Sequence, residues 1–378
     1  MRVGIDGRSL RASAARRGVA RYLGSLLPAL AGAGSGDTFT VLVPGMPDPR
    51  VARLVARPNI VMRSTLVDSR PLFATAALTR RPRVDRLLGG CDVLWAPAVA
   101  PLAFSADVPL VLTIHDLSFE HRARDFTRYE RLWHRIARPR WLAKRATRII
   151  AVSEAVRAEL IDEWEVQPDK VVTVPSGPGR QLWGGDGRRA SVARDERGDG
   201  SSTGLEPGYV LAVGALEPRK RPHVLVEAHA RARAAGLRAE LVFAGDGSLH
   251  RRLAGSGVRV LGHVQDDHLV ALYRDALALT CVSREEGFAF TPLEALSVGT
   301  PAVVSDLPVF AETLGAGALR VPPDDPDALA GALLRLERDR ELRAQLVEAG
   351  QAAAARLSWS RAALGTRAVL AEAAETGR

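Results

Sequence analysis

Short apolar runs alternate with helix-patterned stretches along this 378-residue chain, halt at one glycine-rich segment, and then resume. That rhythm limits the fold more than any single residue does. The apolar runs predict strands at 2–5, 39–43, 60–62, 93–95, 110–114, 148–152 and 171–174. Helical patterns lie between them at 19–30, 130–145 and 154–163, the last opened by Ser153, a good N-cap residue. Strands that alternate with helices build parallel sheets covered on both faces, so α/β layers are expected. Segment 179–208 then carries few apolar residues and the runs Gly184-Gly185-Asp186-Gly187 and Arg197-Gly198-Asp199-Gly200, the composition of a flexible linker. Beyond it, strands are expected at 209–213, 240–244, 258–261, 277–282, 301–304 and 318–321. The helices between them fall at 224–235, 266–274, 293–298 and 327–336, and a final helix at 362–374 follows Ser358. Two α/β domains joined by a linker imply a ligand cleft outside the carboxyl ends of their strands.

Composition removes several function classes. No apolar run reaches the length of a membrane span. The start of the chain meets Asp6 too early for a signal peptide. Cys91 and Cys281 lie too far apart in sequence to make a metal spacing or a disulfide framework. A cytoplasmic enzyme is the default expectation. The net charge of +9 is uneven: residues 1–178 hold 27 Lys and Arg against 17 Asp and Glu, and residues 179–378 hold 25 against 26. A basic half either attracts anionic lipid or polyanionic glycan, or it reflects plain arginine enrichment, with 49 arginines and three lysines. Nucleic acid is not an expected partner, because aromatics are few and no binding motif occurs.

The densest chemistry runs from Ser283 to Pro301. It reads as a strand end, a glycine turn at Gly287, and a helix start with Pro292 in its first turn. Glu286 stands before that start and Glu294 about one turn inside it. The pair flanks a helix N-terminus, whose free N–H groups suit phosphate. Alone, such a pair would only help start a helix. Lys220 lies in Gly214-Ala215-Leu216-Glu217-Pro218-Arg219-Lys220, just after an expected strand. With Arg219 it suits a diphosphate and the negative charge that grows on a leaving phosphate, or else it is surface charge at a turn. His115-Asp116 follows the strand at 110–114, where His115 either meets a sugar hydroxyl or is satisfied by backbone. Gly18, at the next helix start, would let a phosphate or sugar approach the backbone. Gly245, ending the strand at 240–244, either lines a nucleotide pocket with its backbone or sits in a plain turn, and the strand end Leu261-Gly262-His263-Val264 would offer backbone groups to a base edge. Neither the dinucleotide fingerprint nor the P-loop pattern occurs, which argues against an NAD enzyme and a P-loop NTPase.

Together these residues resemble the family 4 glycosyltransferases of the GT-B type. The shared E-x7-E motif stands here as Glu286-Gly287-Phe288-Ala289-Phe290-Thr291-Pro292-Leu293-Glu294-Ala295, and the likeness extends to Glu217–Lys220, Thr113–Phe119 and Gly18–Tyr22. The resemblance implies two Rossmann-like domains facing each other across a cleft, with the C-terminal helix crossing back to the first. The boundaries are then an acceptor-side domain at 1–178, the linker at 179–208, a nucleotide-sugar domain at 209–357 and the returning helix at 358–378. It further implies a retaining transfer of a hexosyl unit without a metal or cofactor. Arg219 and Lys220 would bind the donor diphosphate, Glu294 the ribose, and Glu286 the sugar near its 3- and 4-hydroxyls. The amides of Phe288, Ala289, Phe290 and Thr291 would meet the phosphates, His115 the sugar near the reacting carbon, and Gly18 the distal phosphate. Ala289 departs from the commoner glycine, and its methyl narrows the space there. The likeness is greatest to bacterial mannosyl- and rhamnosyltransferases of polysaccharide assembly. That favours GDP-mannose over UDP-glucose or dTDP-sugars, with a glycan or lipid-linked acceptor at the inner, anionic membrane surface. A sugar-nucleotide epimerase of the same fold and a non-catalytic nucleotide-sugar-binding subunit are the alternatives.

Overall fold

Runs of Val, Ile and Leu with both faces buried form two parallel sheets. The structure is a computed structural model that describes residues 1–10, 18–34, 36–45, 56–65, 69–178 and 204–377. Most of the expected linker, through residue 203, therefore lies outside the described residues. Two compact units divide the chain: Met1–Gly177 with Leu357–Arg378, and Pro178–Arg356.

The first unit holds seven strands: β1 (Arg2–Asp6), β2 (Thr38–Pro44), β3 (Ile60–Thr65), β4 (Val93–Ala96), β5 (Leu110–Ile114), β6 (Arg148–Ala151) and β7 (Val171–Thr173). They lie in the order β3-β2-β1-β4-β5-β6-β7, every pair parallel. All of β4 and β5 is buried, as expected of central strands with helices on both faces. The edge strand β3 runs three residues past its apolar start, because its exposed face tolerates Arg63, Ser64 and Thr65. Helix Trp359–Thr376 packs on this unit against helix Gly18–Ala33 and strands β4 to β6. Ser358 opens it by accepting from the Arg361 amide at 3.1 Å, and Arg367 reaches Asp37 at 2.7 Å.

The second unit holds β8 (Tyr209–Val213), β9 (Leu241–Ala244), β10 (Arg259–Val260), β11 (Ala276–Cys281), β12 (Ala302–Ser305) and β13 (Ala318–Val321). Their order is β10-β9-β8-β11-β12-β13, again parallel throughout. The core on one face joins Leu225, Phe243, Val303, Leu333 and Leu336, and that on the other joins Leu211, Leu272, Tyr273 and Ala295.

Each sheet reverses its winding once, between β1 and β4 in the first and between β8 and β11 in the second. Ligands of open α/β sheets gather at such points, outside the strand carboxyl ends. The loops after β8 and β11 carry Lys220 and Glu286.

The structure splits one expected helix and adds others, Ser69–Thr79 and Pro308–Leu314 among them. The helix expected over 130–145 is two, Arg128–Ala137 and Pro139–Arg145, split where Arg138 takes a left-handed φ of 51°. Pro139 causes the break, since it lacks an N–H and disfavours a helical residue before it. A further helix, Arg340–Ala355, has no counterpart among the expected elements. Asp339 caps it by accepting from the Leu342 amide at 2.8 Å.

Candidate functional site

Lys220 ends the 3₁₀ turn Pro218–Lys220 that follows β8, and Glu286 lies in the loop that follows β11. Because β8 and β11 are hydrogen-bonded neighbours, the two loops stand side by side although 66 residues separate them. Lys220 Nζ forms an ion pair with Glu286 Oε1. The same oxygen accepts from Ser283 Oγ at 2.6 Å and faces Cys281 Sγ at 3.7 Å. Burial, with the Glu286 charge beside it, pushes the Cys281 thiol up to about 11, so it remains a neutral thiol at physiological pH. Arg219 contributes its carbonyl, which accepts from the Arg284 amide at 3.3 Å and ties the two loops together.

A second clamp holds the same loops from outside. Asp324, just past β13, receives Arg221 on one carboxylate oxygen and Arg284 on the other, the latter at 2.6 Å from Nε. Burial alone would raise the Asp324 carboxyl; the hydrogen bonds from Arg284 and Arg221 outweigh it and hold it below the ordinary range. Arg221 takes a left-handed φ of 54° to begin helix Pro222–Ala234.

The expected helix start is present as Phe290–Ser297, with Ala289 at its N-cap and no side chain capping it. Pro292 sits in the first turn, and the Leu293 amide is the one that bonds back to Ala289 O, at 3.0 Å. Ala289 has a φ of −102°, so the backbone at this position does not demand glycine. Phe288, buried, stacks at a tilt on Phe290 with centroids 5.0 Å apart, and Gly287 is buried beside it. Glu294 is buried at 3% exposure on the helix, where Tyr273 donates its hydroxyl to Oε2 at 2.7 Å. Thr291 lies near the Cys281 thiol.

Gly214 and Gly245 touch each other rather than a side chain. A Cβ on Gly245 would fall 1.8 Å from the Gly214 carbonyl oxygen, and Gly214 itself has a φ of 135°. Both positions therefore need glycine for the fold. Val264 follows β10, half-buried against the core around Tyr209 and Tyr273.

In the first unit, His115 ends the run from β5. One ring nitrogen, Nε2, lies 2.8 Å from the Pro97 carbonyl oxygen. A carbonyl only accepts, so Nε2 carries the proton and Nδ1 holds the lone pair. Burial lowers the His115 pKa, and the Tyr22 ring meets it edge-on at 4.8 Å. Asp116 turns the chain locally, accepting from the Ser118 amide at 3.0 Å. Gly18 begins helix Gly18–Ala33 with open space where a Cβ would stand.

The expected residues of the second unit thus fall at one end of its sheet, and the pair at its heart is the cation with the carboxylate. Ser283, Tyr273 and Asp324 complete the arrangement without having been singled out in the sequence. Ser283, three residues before Glu286, was within reach of a pattern reading; Tyr273 and Asp324 carry no local signal. Among the described residues, no group of three His, Cys, Asp or Glu could hold a metal ion.

Two family models match: one described as "Glycosyl transferases group 1" over residues 197–353, and one as "Glycosyltransferase Family 4" over residues 16–178. A D-inositol 3-phosphate glycosyltransferase of Corynebacterium aurimucosum is 30% identical over 71% of this chain and 67% of its own length. Another from Salinispora arenicola is 34% identical over 60% of this chain and 55% of its own. The O-antigen chain mannosyltransferase B of Escherichia coli is 28% identical over 66% of each. The chain thus matches about half to two thirds of these relatives' lengths. Among solved structures, the sucrose-phosphate synthase of Thermosynechococcus elongatus overlays with a TM-score of 0.70 at 20% identity, covering 98% of each chain. Anabaena HepE, solved with UDP-glucose, overlays with a TM-score of 0.64 at 18% identity, covering 100% of this chain and 99% of that one.

Proposed function

Because the chain belongs to the family 4 glycosyltransferases, we propose that it is a retaining hexosyltransferase. It moves a sugar, mannose by preference, from a nucleotide-diphosphate donor to a hydroxyl of a glycan or lipid-linked acceptor. The observation that carries this reading is the Lys220–Glu286 pair, set where the second sheet reverses its winding. A cation fit for a diphosphate and a carboxylate fit for sugar hydroxyls there stand one contact apart.

A diphosphate brought to Lys220 replaces the carboxylate as counter-ion and frees Glu286 to accept from sugar hydroxyls. Arg219 adds a second cation, and the uncapped start of helix Phe290–Ser297 adds amides at its positive end. Glu294, fixed by Tyr273, takes the ribose hydroxyls. Charge growing on the leaving phosphate is stabilised by these groups, with no metal ion required. The acceptor hydroxyl attacks the anomeric carbon from the face the phosphate leaves, so configuration is retained, and its proton passes to a departing phosphate oxygen. His115, uncharged and with Nδ1 as acceptor, receives a sugar hydroxyl. The mannosyltransferase relative supports mannose, and the UDP-glucose complex of the HepE neighbour supports a nucleotide-sugar donor of some base.

A thermal-shift screen against GDP, UDP, dTDP, ADP and their sugars tests the reading, since a ligand that binds only the folded state stabilises it by mass action. GDP-mannose should give the largest shift, and Lys220→Ala should abolish it. Equal shifts of zero across the set would sink the proposal. Product analysis by NMR should show the donor's anomeric configuration preserved. Among the described residues no helix is long and apolar enough to cross a membrane.

A further inference from the structure

Helix Arg128–Ala137, which touches helix Ser69–Thr79 of the same unit, leaves part of its apolar stripe in solvent. A helix on a globular unit normally buries that stripe. Here Tyr129, Leu132, Trp133 and Ile136 fall at i, i+3, i+4 and i+7, one continuous stripe. Yet Tyr129 is 47% exposed and Leu132 54% exposed, and Trp133 and Ile136 are only half-buried. The side facing the unit carries instead Ala137, which is buried, and His134, whose ring lies 4.9 Å from Phe119 and 5.4 Å from Phe126. Flanking the exposed stripe on the outward side are Arg128, Arg131 and Arg135, all exposed. The next helix, Pro139–Arg145, presents Trp141 at 41% exposure with the Arg138 guanidinium 5.8 Å from its ring.

Charge concentrates in the same place. Residues 122–145 hold nine Lys and Arg against two Asp and Glu. An exposed apolar stripe bearing Tyr, Leu and Trp, edged by arginines, matches the chemistry of helices that lie in a membrane interface. There the aromatic rings sit at headgroup depth and the cations meet anionic lipid. A protein partner would have to supply an acidic apolar groove; a bilayer supplies both properties in one plane.

We propose that helix Arg128–Ala137, extended by Pro139–Arg145, is the face by which this chain docks on an anionic phospholipid bilayer. The stripe inserts its apolar side chains to headgroup depth, and the arginines bind lipid phosphates from the flank. The proposal rests on the lipid-linked-acceptor reading and gives it a surface: the transferase works with this face on the membrane that carries its acceptor.

Co-sedimentation of the full chain with vesicles tests it. Wild type should bind vesicles containing phosphatidylglycerol and not those of phosphatidylcholine alone. The exposed pair Tyr129→Ser/Leu132→Ser should lower the bound fraction about tenfold, and Arg128→Glu/Arg131→Glu should do the same. Trp133 and Trp141 emission should shift to the blue on binding in wild type. Unchanged melting temperature and an unchanged nucleotide-induced shift keep both variants interpretable as folded. Vesicle binding equal to wild type in either double variant overturns the proposal, as does no binding by wild type. A wild-type dimer in solution that Tyr129→Ser/Leu132→Ser dissolves also overturns it, by assigning the face to a second copy. The nucleotide screen stands apart: failure with vesicles and success with nucleotides removes the docking face alone, and the converse removes the transferase reading.

Discussion

Tyr273 and Glu294 form the most buried contact of the candidate donor site, with exposures of 0% and 3%. A carboxylate so placed needs its partners to stay oriented, and the tyrosine hydroxyl supplies one at 2.7 Å. Tyr273→Phe should therefore weaken donor binding about three- to tenfold, with kcat little changed, as expected for ~0.6–1.4 kcal/mol of lost orientation. Steady-state kinetics over a donor series checks it; a fall in kcat with constant KM would contradict the assignment. His115 makes a different prediction, in pH. Its folded pKa lies below the ordinary value because burial disfavours the charged ring, and His223 and His229 are lowered for the same first reason. Such groups take up protons more readily when unfolded. Their contribution is complete above about pH 6.5 and is lost as pH falls below it. Urea unfolding from pH 7.5 to 5 should show stability declining on the acid side, and His115→Gln should flatten that decline.

Loops after parallel strands do the positioning, and the clamp at Asp324 is the clearest instance. One carboxylate joins the turn after β8 to the loop after β11 through Arg221 and Arg284. The cluster is about a third exposed, so it adds only on the order of 1 kcal/mol to stability. Asp324→Asn should leave the fold intact, raise the donor KM about three- to tenfold, and make that KM more salt-dependent. Titration at 50 mM and 500 mM NaCl checks this, and a KM equal to wild type at both would remove the role. Such cross-loop contacts set the limit of what the chain reveals when read in one dimension. Strands β4, β5, β8 and β12 were legible because burial on both faces leaves unbroken apolar runs. The E-x7-E segment was legible because its turn, proline and acids are local. The Lys220–Glu286 contact was not, since it depends on β11 pairing beside β8. Helix Arg340–Ala355 is not legible because its buried side is mostly alanine and glycine, which leaves no large apolar stripe. Helix Arg128–Ala137 was readable as a helix, but which side it turns outward was not.

The two units differ in how the chain passes through them. The second is one continuous stretch, whereas the first is completed by Leu357–Arg378, brought back from the far end. Trp359 fills the space beside Gly177 and lies 6.0 Å from Tyr22, and Arg148 and Asp37 are paired with Glu372 and Arg367. Ending the chain after Arg356 should thus destabilise the first unit by several kcal/mol, since removing two large buried side chains alone, Trp359 and Leu370, costs about 5–10 kcal/mol. Nucleotide binding by the second unit should survive. Calorimetry should show the melting transition of the first unit lost or moved down while a GDP-responsive transition persists; loss of both would mean the units do not fold independently. The same feature sets an order in time. On a ribosome moving at about 5–20 residues per second, helix Trp359–Thr376 emerges about 10–40 s after β7 is made. The second unit can close during that wait, while the first lacks the cover that Trp359 and its helix give Tyr22 and the strands β4 to β6. A nascent chain stalled before Ser358 is accordingly the species with most to gain from a chaperone.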